Sequence, residues 1–354
     1  MIVIVVDSYK SALGFSALAR QEYNGSVIFA AHSRFVDSKM EILAANEYMT
    51  PFTLLKAIRK RNPTAIFFAW RGALLDALNY GRRTRNLLRG LNDVSIGILI
   101  PDLVGLEIES RIIESKLIDL VDYYMVTSKD LYSQYSERFP EKLPAGLYRD
   151  MPDLKLLQEV RNQNSNQPMN RVIWVGNSKW GAHHGAIDHK GFNEIVIPLK
   201  KELREVVEFK LIDSSAKRQS HEQVFQEIRQ SKVLVQASKA EGTGLPLLEA
   251  AGLGAVVVTT DVGIASDFLE GDLRQLIVER NIEAFSTGIE YAFKNYQELS
   301  KVILERFESY IEEISLDSLP SPVSAKSKDL SLFHNRFDLL IKLKWFRRWL
   351  LAKK

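Results

Sequence analysis

Two glutamates, Glu241 and Glu249, stand eight positions apart around the turn Gly242-Thr243-Gly244 and Pro246. Upstream, Val233-Leu234-Val235-Gln236-Ala237 reads as a buried strand. Downstream, residues 247–253 read as a helix with Pro246 in its first turn. Strand, tight loop and helix start together present unpaired N–H groups and a positive dipole end, which suits a phosphate or diphosphate. Carboxylates on either side would accept hydrogen bonds from hydroxyl groups. A diphosphate between hydroxylated rings describes a sugar nucleotide. Taken singly, each residue has a plainer use: Glu249 as a first-turn glutamate favoured by the helix dipole, Glu241 as a solvated loop acid, the glycines as turn formers. Only the combination points to a ligand.

The segment resembles the E-x7-E motif of retaining glycosyltransferases of the GT-B fold. The likeness runs on through Ala251-Gly252-Leu253-Gly254-Ala255-Val256-Val257-Val258-Thr259-Thr260-Asp261-Val262-Gly263. Upstream, Val172-Ile173-Trp174-Val175-Gly176 and then Lys190-Gly191-Phe192 resemble the family's other donor-side landmark. Together these cover about residues 170–270. The resemblance implies that Glu249 binds the ribose hydroxyls and that Glu241 contacts the donor sugar near its reacting carbon. It implies that backbone N–H groups near Gly244 and Leu245, beside Gly242, hold sugar or diphosphate oxygens. Lys190 matches the lysine that neutralises the diphosphate. Breaking a sugar–phosphate bond leaves negative charge on the leaving group, and a fixed cation lowers that barrier.

The chain departs from this pattern twice. Family members often place an arginine directly after the strand glycine, where Gly176 is followed here by Asn177. The following loop is long, and its Lys179 is a candidate to replace that arginine on the donor. Family members also often place a histidine before an aspartate in the first half. Here Pro101-Asp102 stands at the equivalent place, leaving Asp102 to face the sugar.

Other chemistries fit less well. His183, His184 and His189 share the long loop, but their uneven spacing and the lack of an acidic cluster argue for a polar lid and no metal site. No Asp-x-Asp pair is present to hold a divalent ion on a nucleotide. Gly252-x-Gly254 precedes a strand, whereas a dinucleotide fingerprint follows one. Gly176 to Gly181 has P-loop spacing, but Ala182 occupies the lysine position. No cofactor is expected, the sugar nucleotide being a substrate.

These residues need a scaffold, and the patterning supplies one. Candidate strands at 2–6, 26–30, 65–69, 95–100 and 123–126 alternate with candidate helices at 12–22, 52–60, 74–88, 109–120 and 129–139. After a break marked by Pro140, Pro144, Pro152 and the Asn/Gln-rich stretch 161–168, alternation resumes. Strands are expected at 172–175, 208–212, 233–237 and 256–259, with helices at 192–203, 221–230, 247–253, 282–295 and 302–314. Such alternation argues for parallel sheets covered on both faces. The fold class is therefore α/β. With the resemblance, it becomes two Rossmann-like α/β/α domains facing a cleft: 1–150 on the acceptor side, 168–315 on the donor side, and 316–354 as linker and basic C-terminal helix.

Composition sets the outer limits. At 46% hydrophobic and 26% charged residues, the chain is an ordinary globular sequence. It has no cysteine, which excludes disulfides and thiolate metal sites. The start, Met1-Ile2-Val3-Ile4-Val5-Val6-Asp7, reads as a first strand without the basic opening of a signal peptide. Net charge is +3, yet residues 331–354 alone carry +6 among Phe333, Phe337, Trp345, Phe346 and Trp349. The basic character is thus assigned to the tail, and no nucleic-acid partner is expected. A basic, aromatic, leucine-bearing helix suits an anionic membrane surface. A terminal helix packing back on the body is the plainer reading.

The sequence thus points to a retaining, metal-independent hexosyl transferase, peripheral on the cytoplasmic face of the plasma membrane. A sugar nucleotide would be its donor and a lipid-linked or polysaccharide chain its acceptor. The departures at Pro101 and Asn177 keep a second reading open: a non-catalytic, glycosyltransferase-like accessory subunit that binds a partner enzyme or glycan. A nicotinamide oxidoreductase is a third, disfavoured by the misplaced glycines.

Overall fold

The computed structural model describes residues 2–6, 27–30, 42–43, 51–69, 71–80, 82–91, 93–101, 111–148, 151–163, 167–180, 187–217 and 219–315. The helix expected over 12–22, Asp102, His183, His184 and the tail 316–354 lie outside the described residues. The chain divides into two compact units. One is built on Met1–Thr127 and Leu131–Tyr148, the other on Ser128–Asp130 and Arg149–Leu316.

In the first unit, strands β1 (Ile2–Val6), β2 (Val27–Ala30), β3 (Ile42–Leu43), β4 (Ala65–Phe68), β5 (Ser95–Ile100) and β6 (Tyr123–Val126) form one sheet. Its order is β3-β2-β1-β4-β5-β6, and every pairing is parallel. This is the doubly wound order of dinucleotide-binding folds. Helices α1 (Pro51–Lys60), α2 (Arg71–Tyr80), α3 (Arg82–Arg89) and α4 (Arg111–Leu120) belong to its crossovers, and α5 (Lys129–Arg138) follows β6. Strands β4, β5 and β6 are buried along their whole length, as parallel strands covered on both faces must be. Val3, Val5, Ile66, Phe68, Ile98, Ile100 and Tyr124 lie in that core.

The second unit opens with α6 (Leu154–Asn162), then β7 (Met169–Gly176), α7 (Ile197–Leu203), β8 (Glu208–Asp213), α8 (His221–Arg229), β9 (Ser231–Gln236), α9 (Leu245–Gly252) and β10 (Val256–Thr259). The short helix α10 (Ala265–Phe268) precedes the long α11 (Ile282–Lys294) and α12 (Tyr296–Ser315). The sheet order is β10-β9-β7-β8, again all parallel. The strand order reverses between β7 and β9. In open parallel sheets, the crevice beyond the strand ends at such a reversal is where ligands bind. The loops that follow β7 and β9 are the ones carrying Lys190 and Glu241.

The structure changes several sequence expectations. One helix over 74–88 becomes two, α2 and α3. The proline-rich break contains α6, capped by the Asp153 side chain, which accepts from the Leu156 N–H at 3.1 Å. The helix at 192–203 begins as a π-helical turn over Phe192–Val196 before α7. The two-residue strand β3 carries too little pattern to be read from sequence.

The charge reading also needs correction. Helices α1 and α3 pack against each other. Both are rich in Lys and Arg and contain no acid. A basic face therefore exists on the body of the protein, in addition to the basic tail.

Candidate functional site

Lys190 and Glu241 are 51 residues apart in sequence and in contact in the structure. The Lys190 Nζ donates to Glu241 Oε1 at 2.5 Å. The same oxygen accepts from the Ser238 hydroxyl at 2.6 Å. Both charged side chains are mostly covered, at 18% and 13% exposure, so water screens the pair only partly. Trp180 lies beside it, its ring centroid 5.4 Å from Lys190 Nζ and 4.3 Å from the His189 ring.

Several bonds lash the two loops together. His189 Nε2 lies 2.7 Å from the Ala240 carbonyl, and the Lys239 N–H donates to the His189 carbonyl at 2.8 Å. Arg280, just before α11, fastens both loops. Its guanidinium donates to the carbonyls of Ala237 at 3.0 Å and Asp188 at 3.3 Å, and to Glu194 Oε2 at 2.6 Å. Hydrogen bonds from Arg280 and Lys239 hold the Glu194 carboxyl below the usual carboxylate range. Asp188 sits in the left-handed region at φ 44°, and its side chain accepts the backbone N–H groups of Asn193 and Glu194. Gly191 is left-handed too, at φ 68°. A Cβ there would meet the Ala237 carbonyl oxygen at 2.3 Å, so only glycine lets the two loops approach this closely.

Helix α9 begins at Leu245, with Pro246 in its first turn and Gly244 as its N-cap at φ 82°. Leu245 is half-buried. Of the two glycines expected to need unusual backbone, only Gly244 does, because Gly242 is not in the left-handed region. Glu249 is the fifth residue of this helix, beyond the first turn where the sequence reading put it. It is 8% exposed. The helix dipole falls off within the first turn, so it alone does not account for a buried carboxylate at this position. Beneath the turn, Gln236 Oε1 and Thr243 Oγ1 are buried and have no hydrogen-bond partner among the described residues. Orphaned buried polar atoms cost about 1–3 kcal/mol each. Two of them under one glycine turn suit a site whose polar complement comes from a ligand.

The end of β7 is organised differently. Gly176 lies against the Trp174 ring, which a Cβ would meet at 2.6 Å. Asn177 builds a turn: its Oδ1 accepts the Lys179 N–H at 3.0 Å and its carbonyl accepts the Trp180 N–H at 3.0 Å. The Lys179 side chain is exposed. Asp213, at the end of β8, accepts from the Ser178 hydroxyl at 2.6 Å and N–H at 3.1 Å, and from the Ser215 hydroxyl at 2.8 Å and N–H at 2.9 Å. Burial pushes the Asp213 carboxyl up, but these four bonds outweigh it and hold the group below its ordinary value. In the first unit, Pro101 is half-buried, and its carbonyl accepts from Thr127 Oγ1 at 3.3 Å.

The structure thus brings Lys190, Glu241 and the Gly242–Leu245 turn to one pair of linked loops. Gly176, Asn177 and Lys179 are placed on the neighbouring turn. Asp102 lies outside the described residues. Ser238, Asp188, Asp213, Trp180 and Arg280 escaped the sequence reading as site residues. Ser238 was findable, three positions before Glu241 in the same loop. Arg280 was not, since nothing local ties it to residues near 188 and 237. Among the described residues, no group of three or more His, Asp or Glu stands ready to hold a metal ion. No helix among them is long and apolar enough to cross a membrane.

Comparisons with known proteins agree with this architecture. Residues 198–307 match the family described as glycosyl transferases group 1. No curated protein matches the chain. Among solved structures, the chain is similar to sucrose-phosphate synthase from Thermosynechococcus elongatus, with TM-score 0.56 and 16% identity over 89% of this chain and 96% of that one. It is also similar to the Anabaena protein HepE in complex with UDP and glucose, with TM-score 0.56 and 13% identity over 89% and 95%. A glycosyltransferase from Rickettsia africae gives TM-score 0.55 and 14% identity over 100% and 98%. At such identities the likeness shows the fold, the GT-B type with its Rossmann-like units.

Proposed function

We propose that the protein is a retaining glycosyltransferase. It moves a sugar from a nucleoside-diphosphate sugar to a lipid-linked or polysaccharide acceptor in cell-surface glycan synthesis. The observation that carries the reading is the Lys190–Glu241–Ser238 contact at the reversal point of the second sheet, next to the N-terminus of α9. The glycosyl transferases group 1 match over 198–307 supports it.

In this reading the bound diphosphate takes over Lys190 and the α9 N–H groups, and Glu241 turns to the sugar hydroxyls. Glu249 holds the ribose. The acceptor hydroxyl attacks the anomeric carbon on the face that the diphosphate leaves. The carbon–oxygen bond to phosphate breaks, the bond to the acceptor oxygen forms, and the acceptor proton passes to a departing phosphate oxygen. No protein base is needed. Lys190 and the helix dipole carry the charge of the leaving group. The basic tail contributes contact with the membrane that holds the acceptor.

Calorimetry with a panel of sugar nucleotides, uridine compounds first, tests the donor. The protein should bind one of them, and Glu249→Ala should weaken that binding by about tenfold or more, the scale of losing a charge-assisted hydrogen bond. Unchanged donor affinity and unchanged turnover at saturating acceptor would remove Glu249 from this role. Binding of no sugar nucleotide at all would leave the accessory-subunit reading in its place.

A further inference from the structure

Helix α1 carries Lys56, Arg59 and Lys60, with Arg61 following, and α3 carries Arg82, Arg83, Arg85 and Arg89. Residues 51–91 hold nine cations and a single acid, Asp76, a balance of +8. With +6 in residues 331–354 and +3 overall, the remainder of the chain stands at −11. Seven of the nine cations lie on the two packed helices α1 and α3, while the rest of the chain outside 51–91 and the tail carries net negative charge.

The structure turns five of these cations outward. Lys56, Arg59, Lys60, Arg61 and Arg83 are exposed, and among the described residues none of the five forms an ion pair. Arg59 reaches across to the end of α3, where a Cβ on Gly90 would lie 3.2 Å from its Nη1. Two others are used inside the fold: Arg85 is buried and donates to the Leu78 carbonyl at 3.3 Å, and Arg71, on α2, pairs with Glu114.

Local helix physics explains only part of the pattern. Arg59 and Lys60 in the last turn of α1 complement its negative end. Arg82 and Arg83 do the opposite. They open α3, where the dipole is positive, and no acid shares that turn. The exposed cations Lys56, Arg59, Lys60, Arg61 and Arg83 meet no acid among the described residues, which leaves them open to an anionic partner outside the fold.

We propose that the α1–α3 face docks on an anionic lipid surface. A plane of headgroup phosphates rewards clustered cations whatever their sequence spacing. Nucleic acid fits less well, because single strands are held by stacking on aromatic rings. Helix α3 has no aromatic residue, and Phe52, the one ring in α1, is half-buried. The cations of this face are separate in sequence from the basic tail and give the chain a second hold. It does not rest on the glycosyltransferase reading.

Vesicle co-sedimentation of the full chain tests it, comparing pure phosphatidylcholine with mixtures containing phosphatidylglycerol. Wild type should bind only the anionic vesicles. The triple variant Lys56→Glu, Lys60→Glu, Arg83→Glu should bind them at least about tenfold more weakly at low salt. The gentler Lys56→Gln, Lys60→Gln, Arg83→Gln should show a smaller loss with an unchanged melting temperature. A tail variant, Lys344→Glu, Arg347→Glu, Arg348→Glu, should leave a binding component that the body variants remove. The proposal fails if wild type ignores anionic vesicles, or if the body variants bind like wild type while the tail variant alone loses binding. It also fails if the body cations bind single-stranded RNA more tightly than vesicles.

Discussion

Cations are used in opposite ways on the linked loops of the second unit and on the α1 and α3 helices of the first. Around the loops after β7 and β9, positive side chains meet carboxylates of the same unit: Lys190 with Glu241, Arg280 with Glu194, Lys239 with Glu194. On α1 and α3 the exposed cations meet none among the described residues. Internally matched charges fix geometry, and unmatched ones wait for a partner. The Lys190–Glu241 pair belongs to the first kind while carrying the chemistry assigned to the second. Its charge is neutralised at rest, and in the proposed reaction a diphosphate must exchange with Glu241.

Three perturbations probe this contrast, and the most severe attacks the geometry. Gly191→Ala places a methyl group against the Ala237 carbonyl in a left-handed backbone. It should cost about 3 kcal/mol of stability, read from denaturant unfolding. Retention of wild-type stability would show that the two loops are not locked. Next, Glu241→Gln keeps the shape and removes the competing charge. Affinity for a plain nucleoside diphosphate should rise about tenfold, because Lys190 is released from its internal partner. Falling affinity would mean that Glu241 holds Lys190 in place and does not compete for it. The mildest is Asp213→Asn, which should cost about 1–2 kcal/mol at neutral pH through weakened bonds to Ser178 and Ser215. The Asp213 carboxyl is held below its ordinary value of 3.8. Its contribution is therefore complete above that value and is lost as pH falls through the lower folded value. The gap between variant and wild type should close in that acid range, as followed by thermal melts.

How much of this was legible in the sequence depended on how local the signal was. Strands such as Val172–Val175 and Val256–Thr259 announced themselves as short β-branched runs, and the α9 start by its glycine and proline. Glu241 and Lys190 were readable as parts of a known pattern, but their contact was not, because it spans two loops. Helix α6 hid in a stretch dominated by proline, asparagine and glutamine, though Asp153 offered a cap. Asn177 looked like a missing cation and proved to be the residue that closes a turn. The basic face stayed invisible for the same reason as Arg280. The helices that carry residues 56 and 83 become neighbours only after a strand and a helix have folded between them.

One consequence of the strand orders concerns how the chain reaches this state. Every ladder among the described residues is parallel, so none of these strand pairs can zip from a hairpin. Each must wait for a crossover to close before its first rung forms. Such chains fold slowly, with apolar strands uncovered in the interval. For this protein, synthesis is therefore the stage at which uncovered strands invite self-association.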